Sequence, residues 1–186
     1  MADQINGYLS GYLRKKRFDI IKPYLYGNIL DFGCGIGMLS SSFEINKYVG
    51  IDIDKESIRI AKHNNPTHNF FCLNDFDYIY DFAPFDIVIM LAVIEHLKNP
   101  IEILKKLNTL LNKNGNIILT TPSPISNKIH YIGSIIGLFS KSASKEHKKL
   151  YSLNDIINIS IESKFKVAKY KKFLFSLNQL FILEKE

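Results

Sequence analysis

From Tyr8 to Leu25, apolar residues recur at helical spacing (Leu9, Leu13, Phe18, Ile21, Leu25), which predicts an amphipathic amino-terminal helix within residues 1–26. Pro23 leaves its last turn open. The pattern then changes. Asn28-Ile29-Leu30-Asp31-Phe32 is a short apolar run closed by glycines, as expected of a buried parallel strand. A helix can begin over Met38 to Phe43, a second strand covers Lys47 to Asp52, and a second helix covers Lys55 to His63. Asn69 to Leu73 is again strand-like and leads into an acidic, aromatic stretch ending at Phe82. Phe85 to Met90 is almost unbroken in its apolarity and predicts a fourth strand.

The second half alternates in the same way. Pro100 to Leu111 carries Ile101, Leu104, Leu107, Leu110 and Leu111 on one stripe, and Pro100 suits the first turn of a helix. Asn114-Gly115 predicts a turn into a strand over Asn116 to Thr120. Ser152-Leu153-Asn154-Asp155 matches a capping box that opens a helix running through Ile161. Two closing strands follow, about Phe165 to Phe173 and Leu177 to Leu183. Strands alternating with helices at this spacing predict an α/β fold with a Rossmann-like, doubly wound, mostly parallel seven-stranded sheet. No linker or repeat divides the chain, so residues 1–186 are expected to form a single domain.

Composition narrows the class. The chain has 186 residues, 46% hydrophobic and 23% charged, with mean hydropathy near zero, which excludes a disordered or collagenous protein. Its two cysteines, Cys34 and Cys72, are too few for a disulfide scaffold or a four-cysteine zinc site. The longest apolar stretch, around Ile125 to Phe139, is interrupted by Asn127, Lys128 and His130 and is too short and polar to span a bilayer. The start, Met1-Ala2-Asp3-Gln4, has no apolar signal core, so a cytoplasmic location is expected. The net charge is +6, but arginine occurs only at Arg14, Arg17 and Arg59. Readers of nucleic acid favour arginine for bidentate contacts. A solvated lysine surface is therefore favoured over a nucleic-acid partner, although Arg14-Lys15-Lys16-Arg17 could touch phosphate.

The chemistry concentrates where the first strand ends. Glycines at alternate positions in Gly33-Cys34-Gly35-Ile36-Gly37 permit a tight turn and let a ligand approach backbone. The second strand ends in Gly50-Ile51-Asp52-Ile53-Asp54, where an acidic side chain can accept hydrogen bonds from ribose hydroxyls. A cap for the following helix is the other reading of Asp52. Two nucleoside cofactors fit this much. A dinucleotide site wants Gly-x-Gly-x-x-Gly, yet counting from Gly33 puts Met38 at the third glycine position. Asp31 also sits badly beside a pyrophosphate and suits a ligand that brings an amino group.

Ile29 to Gly37 resembles the first motif of the class I S-adenosylmethionine-dependent methyltransferases, and Gly50 to Asp54 resembles their second. Leu73-Asn74-Asp75-Phe76 is similar to the third. Phe85 to Ile89 followed by Val93-Ile94-Glu95-His96-Leu97 is similar to the fourth, in the form seen in the small-molecule branch and in quinone-biosynthesis O-methyltransferases. The resemblance runs in order from about Tyr8 to Leu183. It implies S-adenosyl-L-methionine as cofactor, with Gly33, Cys34, Gly35 and Gly37 lining the methionine part and Asp31 near its amino group. It also implies Asp52 on the ribose hydroxyls, Ile53 on the adenine face, Asp75 on the adenine amino group and Phe76 beside the ring. Leu91 and Ala92 would approach the sulfonium. Cys34 reads as a small packing residue of the turn, not a nucleophile.

The acceptor is narrowed by elimination. Members of this fold that methylate nucleobase amino groups carry an Asn/Asp-Pro-Pro-aromatic element after the fourth strand, where this chain has Met90-Leu91-Ala92-Val93. The lysine and acid tetrad of ribose methylation is not recognisable either. The quinone enzymes add a metal-binding glutamate three residues before the Glu95 position; here Ala92 stands there, so no metal is expected. His96 could act as a base, since imidazole titrates near neutral pH; capping the next helix is the other reading of Glu95-His96. After Pro124, apolar residues at Ile125, Ile129, Ile132, Ile136 and Phe139 form a helical stripe within residues 122–150. Similar enzymes place an acceptor-covering insertion there, with a histidine such as His147 beyond it; an ordinary core-packing helix, or a dimer or membrane-surface helix, is the other reading of the stripe. The expected protein is thus a small-molecule methyltransferase favouring oxygen, monomeric or homodimeric. A transferase acting on RNA or protein, or a non-catalytic partner subunit, is the alternative.

Overall fold

The computed structural model of the chain describes residues 8–125 and 149–186. Most of the expected lid, with His130, Tyr131 and His147, lies outside the described residues. The seven strands are ordered β3-β2-β1-β4-β5-β7-β6, so the doubly wound, mostly parallel arrangement expected from the sequence is the fold observed. The chain divides into two compact units that part after Ile89.

In the first unit, α1 (Tyr8–Ile21) precedes β1 (Asn28–Phe32), α2 (Met38–Ser42), β2 (Lys47–Asp52), α3 (Lys55–Asn64), β3 (Asn69–Cys72) and the start of β4 (Phe85–Leu91). α1 stops at Ile21 because Pro23 enters the next turn, and Lys22–Tyr24 tighten into a 3-10 turn. β1 pairs in parallel with β2 from Asn28↔Lys47 to Phe32↔Ile51, and with β4 from Ile29↔Ile87 to Asp31↔Ile89. β1 therefore has a later strand on each side. The winding reverses beside it, and the crevice at that reversal is where open α/β sheets take ligands. Ile29, Leu30, Ile51, Val88 and Ile89 are all at most 1% exposed, which accounts for the continuous apolar runs.

The second unit holds α4 (Pro100–Leu110), β5 (Leu111–Pro122), α5 (Leu153–Glu162), β6 (Phe165–Phe173) and β7 (Asn178–Lys185). β7 runs antiparallel to both β5 and β6. The capping box is present as expected: the Ser152 hydroxyl accepts from the Asp155 N–H and the Asp155 carboxylate accepts from the Ser152 N–H. One boundary differs. β5 begins at Leu111, so the expected turn at Asn114-Gly115 falls inside it. Asn112 Oδ1 accepts from the Asn114 N–H at 2.9 Å, a local turn that leaves the strand extended. Pairing with β7 starts only at Asn116↔Glu184.

Candidate functional site

The loop after β1 is strapped to the end of β2. The N–H groups of Gly33 and Cys34 both donate to the Ile51 carbonyl, at 2.7 and 3.0 Å. The Gly35 N–H donates to Asp52 Oδ2 at 2.8 Å, and the Asp54 N–H donates to Asp52 Oδ1 at 2.9 Å. Gly33, Gly35 and Gly37 all have positive φ. Their surroundings divide them. A Cβ on Gly37 would meet Asn65 Nδ2 at 2.8 Å and the Phe70 ring at 3.0 Å, whereas a Cβ on Gly35 would meet nothing within 4 Å. Gly37 is a packing glycine. Gly35 borders open space that a ligand can enter.

Asp52 is 7% exposed and does not cap α3; Asp54 does, accepting from the Glu56 and Ser57 N–H groups. A carboxylate has about four acceptor positions, so the two backbone bonds leave a second lone pair on each Asp52 oxygen. Ile53, next in sequence, is 66% exposed, an apolar side chain held in solvent at the strand end. Asp75 is exposed and sits at a break between two 3-10 turns, with φ −99° and ψ 25°. Phe76 is half-buried and meets the Tyr80 ring edge-on at 6.1 Å.

Two buried groups set the electrostatics under the loop. Asp31 is 4% exposed. Burial pushes its carboxyl up to about 7, the Tyr48 hydroxyl bond opposes this, and the Asp52 charge adds to the rise. Burial, with the charges of Asp31 and Asp52, pushes the Cys34 thiol well above its usual range. A thiol held neutral in this way is a poor nucleophile.

In the second unit, Leu91 is half-buried at the end of β4, and Ala92 follows in the left-handed region at φ 57°, its N–H donating to the Thr120 carbonyl at 2.9 Å. Glu95 is 3% exposed and its carboxylate accepts from the Thr121 hydroxyl at 3.1 Å. His96 is exposed at the end of the 3-10 turn Ile94–His96. The N-cap of α4 is Asn99, which accepts from the Glu102 N–H. The Lys149 N–H donates to the Glu95 carbonyl at 3.2 Å, which ties down the chain just before Tyr151. Tyr151 is 1% exposed, and its buried hydroxyl has no hydrogen-bond partner among the described residues.

Tyr48, Thr121 and Tyr151 were not among the expected site residues. A tyrosine at period 2 in a strand reads as core, and only the register that sets β2 against β1 reveals its reach. Among the described residues, no group of three His, Cys, Asp or Glu side chains could hold a metal ion. No described helix is long and apolar enough to cross a membrane.

A glycine loop strapped to an acidic strand end, on a doubly wound sheet, defines a nucleoside-binding α/β protein. The chain belongs to the methyltransferase domain family, whose model matches residues 7–168. It is similar to the mitochondrial ubiquinone biosynthesis O-methyltransferase of Dictyostelium discoideum, at 31% identity over 127 residues, covering 59% of this chain and 39% of that protein. It is 33% identical over 109 residues to the ubiquinone biosynthesis O-methyltransferase of Glaesserella parasuis, covering 52% of this chain and 46% of that one. The chain thus spans less than half the length of these two relatives. Among solved structures, it resembles the magnesium protoporphyrin IX methyltransferase of Synechocystis PCC 6803 with bound SAH (TM-score 0.66, 17% identity, 97% of this chain and 88% of that chain). It also resembles an S-adenosylmethionine-dependent methyltransferase of Mesorhizobium loti (TM-score 0.68, 12% identity, 91% and 96%). At these identities the structural likeness is one of fold.

Proposed function

We propose that the chain is one S-adenosylmethionine-dependent methyltransferase domain that methylates a small molecule, with oxygen favoured as the acceptor atom. The observation that carries this reading is the Asp52–Gly35 bond beside the open space at Gly35. It supports a reading in which Asp52 serves the ribose and the side-chain-free surface at Gly35 serves the amino-acid part of one ligand. The donor set fits the cofactor: Asp52 for two hydroxyls, exposed Ile53 for an aromatic face, exposed Asp75 for an exocyclic amine, and buried Asp31 for an ammonium.

Bound there, the cofactor supplies an electrophilic methyl carbon on a sulfonium. The residues of this chain hold the reactants in line, and that positioning supplies a large share of the barrier reduction. Gly33 and Gly35 would line the amino-acid moiety, Phe76 would flank the base, and Leu91 is the residue proposed for the methyl end. An oxygen acceptor must lose a proton, and His96 and His147 are the residues proposed to take it. The apolar positions Ile125, Ile129, Ile132, Ile136 and Phe139 favour an acceptor with an apolar part. A cytoplasmic location and a monomer or homodimer complete the reading.

Calorimetry with S-adenosylhomocysteine tests the cofactor, and a screen of small phenols and hydroxy acids with methyl-labelled cofactor tests the acceptor class. Binding of NAD in place of S-adenosylhomocysteine would overturn the assignment. His96→Ala and His147→Ala are expected to lower turnover far more than cofactor affinity.

A further inference from the structure

Tyr48 is the second residue of β2, opposite Ile29 of β1. Its side chain is 3% exposed, with the rings of His68 and Phe70 at 5.3 and 5.7 Å. From there its hydroxyl donates to Asp31 Oδ2 at 2.6 Å. The Ser40 hydroxyl of α2 lies beside the same tyrosine oxygen and itself donates to the Gly37 carbonyl at 2.9 Å. A run of buried hydroxyls therefore joins the acid on β1 to the far end of the glycine loop.

We propose that Tyr48 is a positioning residue for the cofactor's ammonium group: its hydroxyl occupies one oxygen of Asp31 and leaves the other for the ligand. This rests on the cofactor reading above. The physical case begins with burial. A carboxyl this far from water prefers its neutral form, and a neutral carboxyl offers an ammonium little attraction. The groups that face it are few. From β2 come the Tyr48 hydroxyl and the Asp52 charge, and from the loop comes Cys34, whose thiol is held neutral. β4 contributes the apolar Ile89, paired beside it. Asp52 and burial both push Asp31 toward the proton. Tyr48 opposes them, so it sets how much of the carboxylate is ionised near neutral pH. A charge-assisted bond of this length is among the stronger kinds, and its loss in a buried site is not made good by water.

The test compares two ligands that differ in the group concerned. S-Adenosylhomocysteine carries the ammonium; 5′-methylthioadenosine keeps the adenosine and sulfur but lacks the amino-acid part. Calorimetry is run with both on the full chain between pH 5.5 and 7.5. The wild type is expected to lose S-adenosylhomocysteine affinity as pH falls below 7, approaching roughly tenfold per pH unit, with 5′-methylthioadenosine nearly flat. Tyr48→Phe keeps the ring in its packing. It should weaken S-adenosylhomocysteine by roughly tenfold at pH 7, move the pH midpoint upward and leave 5′-methylthioadenosine within about twofold. Asp31→Asn should flatten the pH profile, and Tyr48→Phe added to Asp31→Asn should cost S-adenosylhomocysteine nothing more.

Three results overturn the proposal: an unshifted pH profile in Tyr48→Phe, equal loss of both ligands, or additive losses in the double variant. If the wild type binds neither ligand, the cofactor reading itself fails and takes this one with it.

Discussion

Asp52 Oδ2 accepts the Gly35 N–H at 2.8 Å, and through this bond the end of β2 fixes the shape of the loop that leaves β1. The same carboxylate takes the Asp54 N–H, so one side chain organises both the loop and the approach to α3. Its removal frees two backbone donors and the proposed ribose acceptor together.

Asp52→Ala is therefore expected to weaken S-adenosylhomocysteine by on the order of 1–3 kcal/mol. Asp54→Ala is the matched control. It removes the α3 cap, should lower the melting temperature slightly, and should leave affinity nearly unchanged. Thermal melts and calorimetry on both variants separate the two roles. An Asp52→Ala chain that binds as tightly as the wild type would count against the site.

The glycines of this region make a sharper contrast. A Cβ on Gly50 would lie 2.6 Å from the Phe70 ring and 2.9 Å from Cys34 Sγ, so Gly50→Ala overpacks the strand end and should destabilise by about 1–3 kcal/mol. Gly35→Ala meets no neighbour and carries only the strain of φ +53°, about 1–2 kcal/mol. It should nonetheless lose most of its affinity, because the methyl group enters the space assigned to the ligand. Melting temperatures that fall while affinity survives in Gly35→Ala would reverse the assignment.

Ala92 adopts φ 57° immediately after β4, held by its N–H bond to Thr120. A non-glycine residue here stores roughly 1–2 kcal/mol of strain. Ala92→Gly should relieve it and lose part of the gain to unfolded-state entropy, for a net change between zero and about +1 kcal/mol. Ala92→Val should destabilise by more than 1 kcal/mol, since a β-branched side chain tolerates this region worst. Urea unfolding of the two variants checks the order.

Most of this fold could be read from the chain because its central strands β1, β2 and β4 are buried on both faces and α3, α4 and α5 each carry a single apolar stripe. Phe165–Phe173, the Ser152–Asp155 box and the run Phe85–Leu91 all fall within a residue of expectation. The glycine loop and Asp52 were legible because local chain geometry demands those residue types there. What the sequence hid was long-range. That Gly37 and Gly50 serve Phe70, while Gly35 serves open space, depends on which ring packs across from each. That Asp54 and Asn99 are the residues capping α3 and α4 depends on where each helix begins. Tyr48 was invisible because its hydroxyl meets Asp31 only through the β1–β2 register.

The last prediction concerns what Asp31 does to stability. Its folded pKa of about 7 lies far above the ordinary 3.8. Between those values the folded chain binds more protons at this site than the unfolded chain, so the contribution of Asp31 to stability falls as pH rises from about 4 to 7. Below that window both states are protonated and the site contributes in full; above it the folded state holds a buried charge assisted by Tyr48 alone among the hydrogen bonds described to its carboxylate. Asp31→Asn removes the titration while keeping the shape. The stability of the variant minus that of the wild type should therefore climb through the window and level off above pH 7, by on the order of 2–4 kcal/mol in total. Ligand binding should move the opposite way, since the variant lacks the carboxylate that the ammonium needs. Urea unfolding at pH 4.5, 6 and 7.5 without ligand measures the first trend, and the same series with saturating S-adenosylhomocysteine measures the second. Parallel stability curves for the two chains across this range would mean that Asp31 ionises as easily folded as unfolded, and the electrostatic account of the loop would fall.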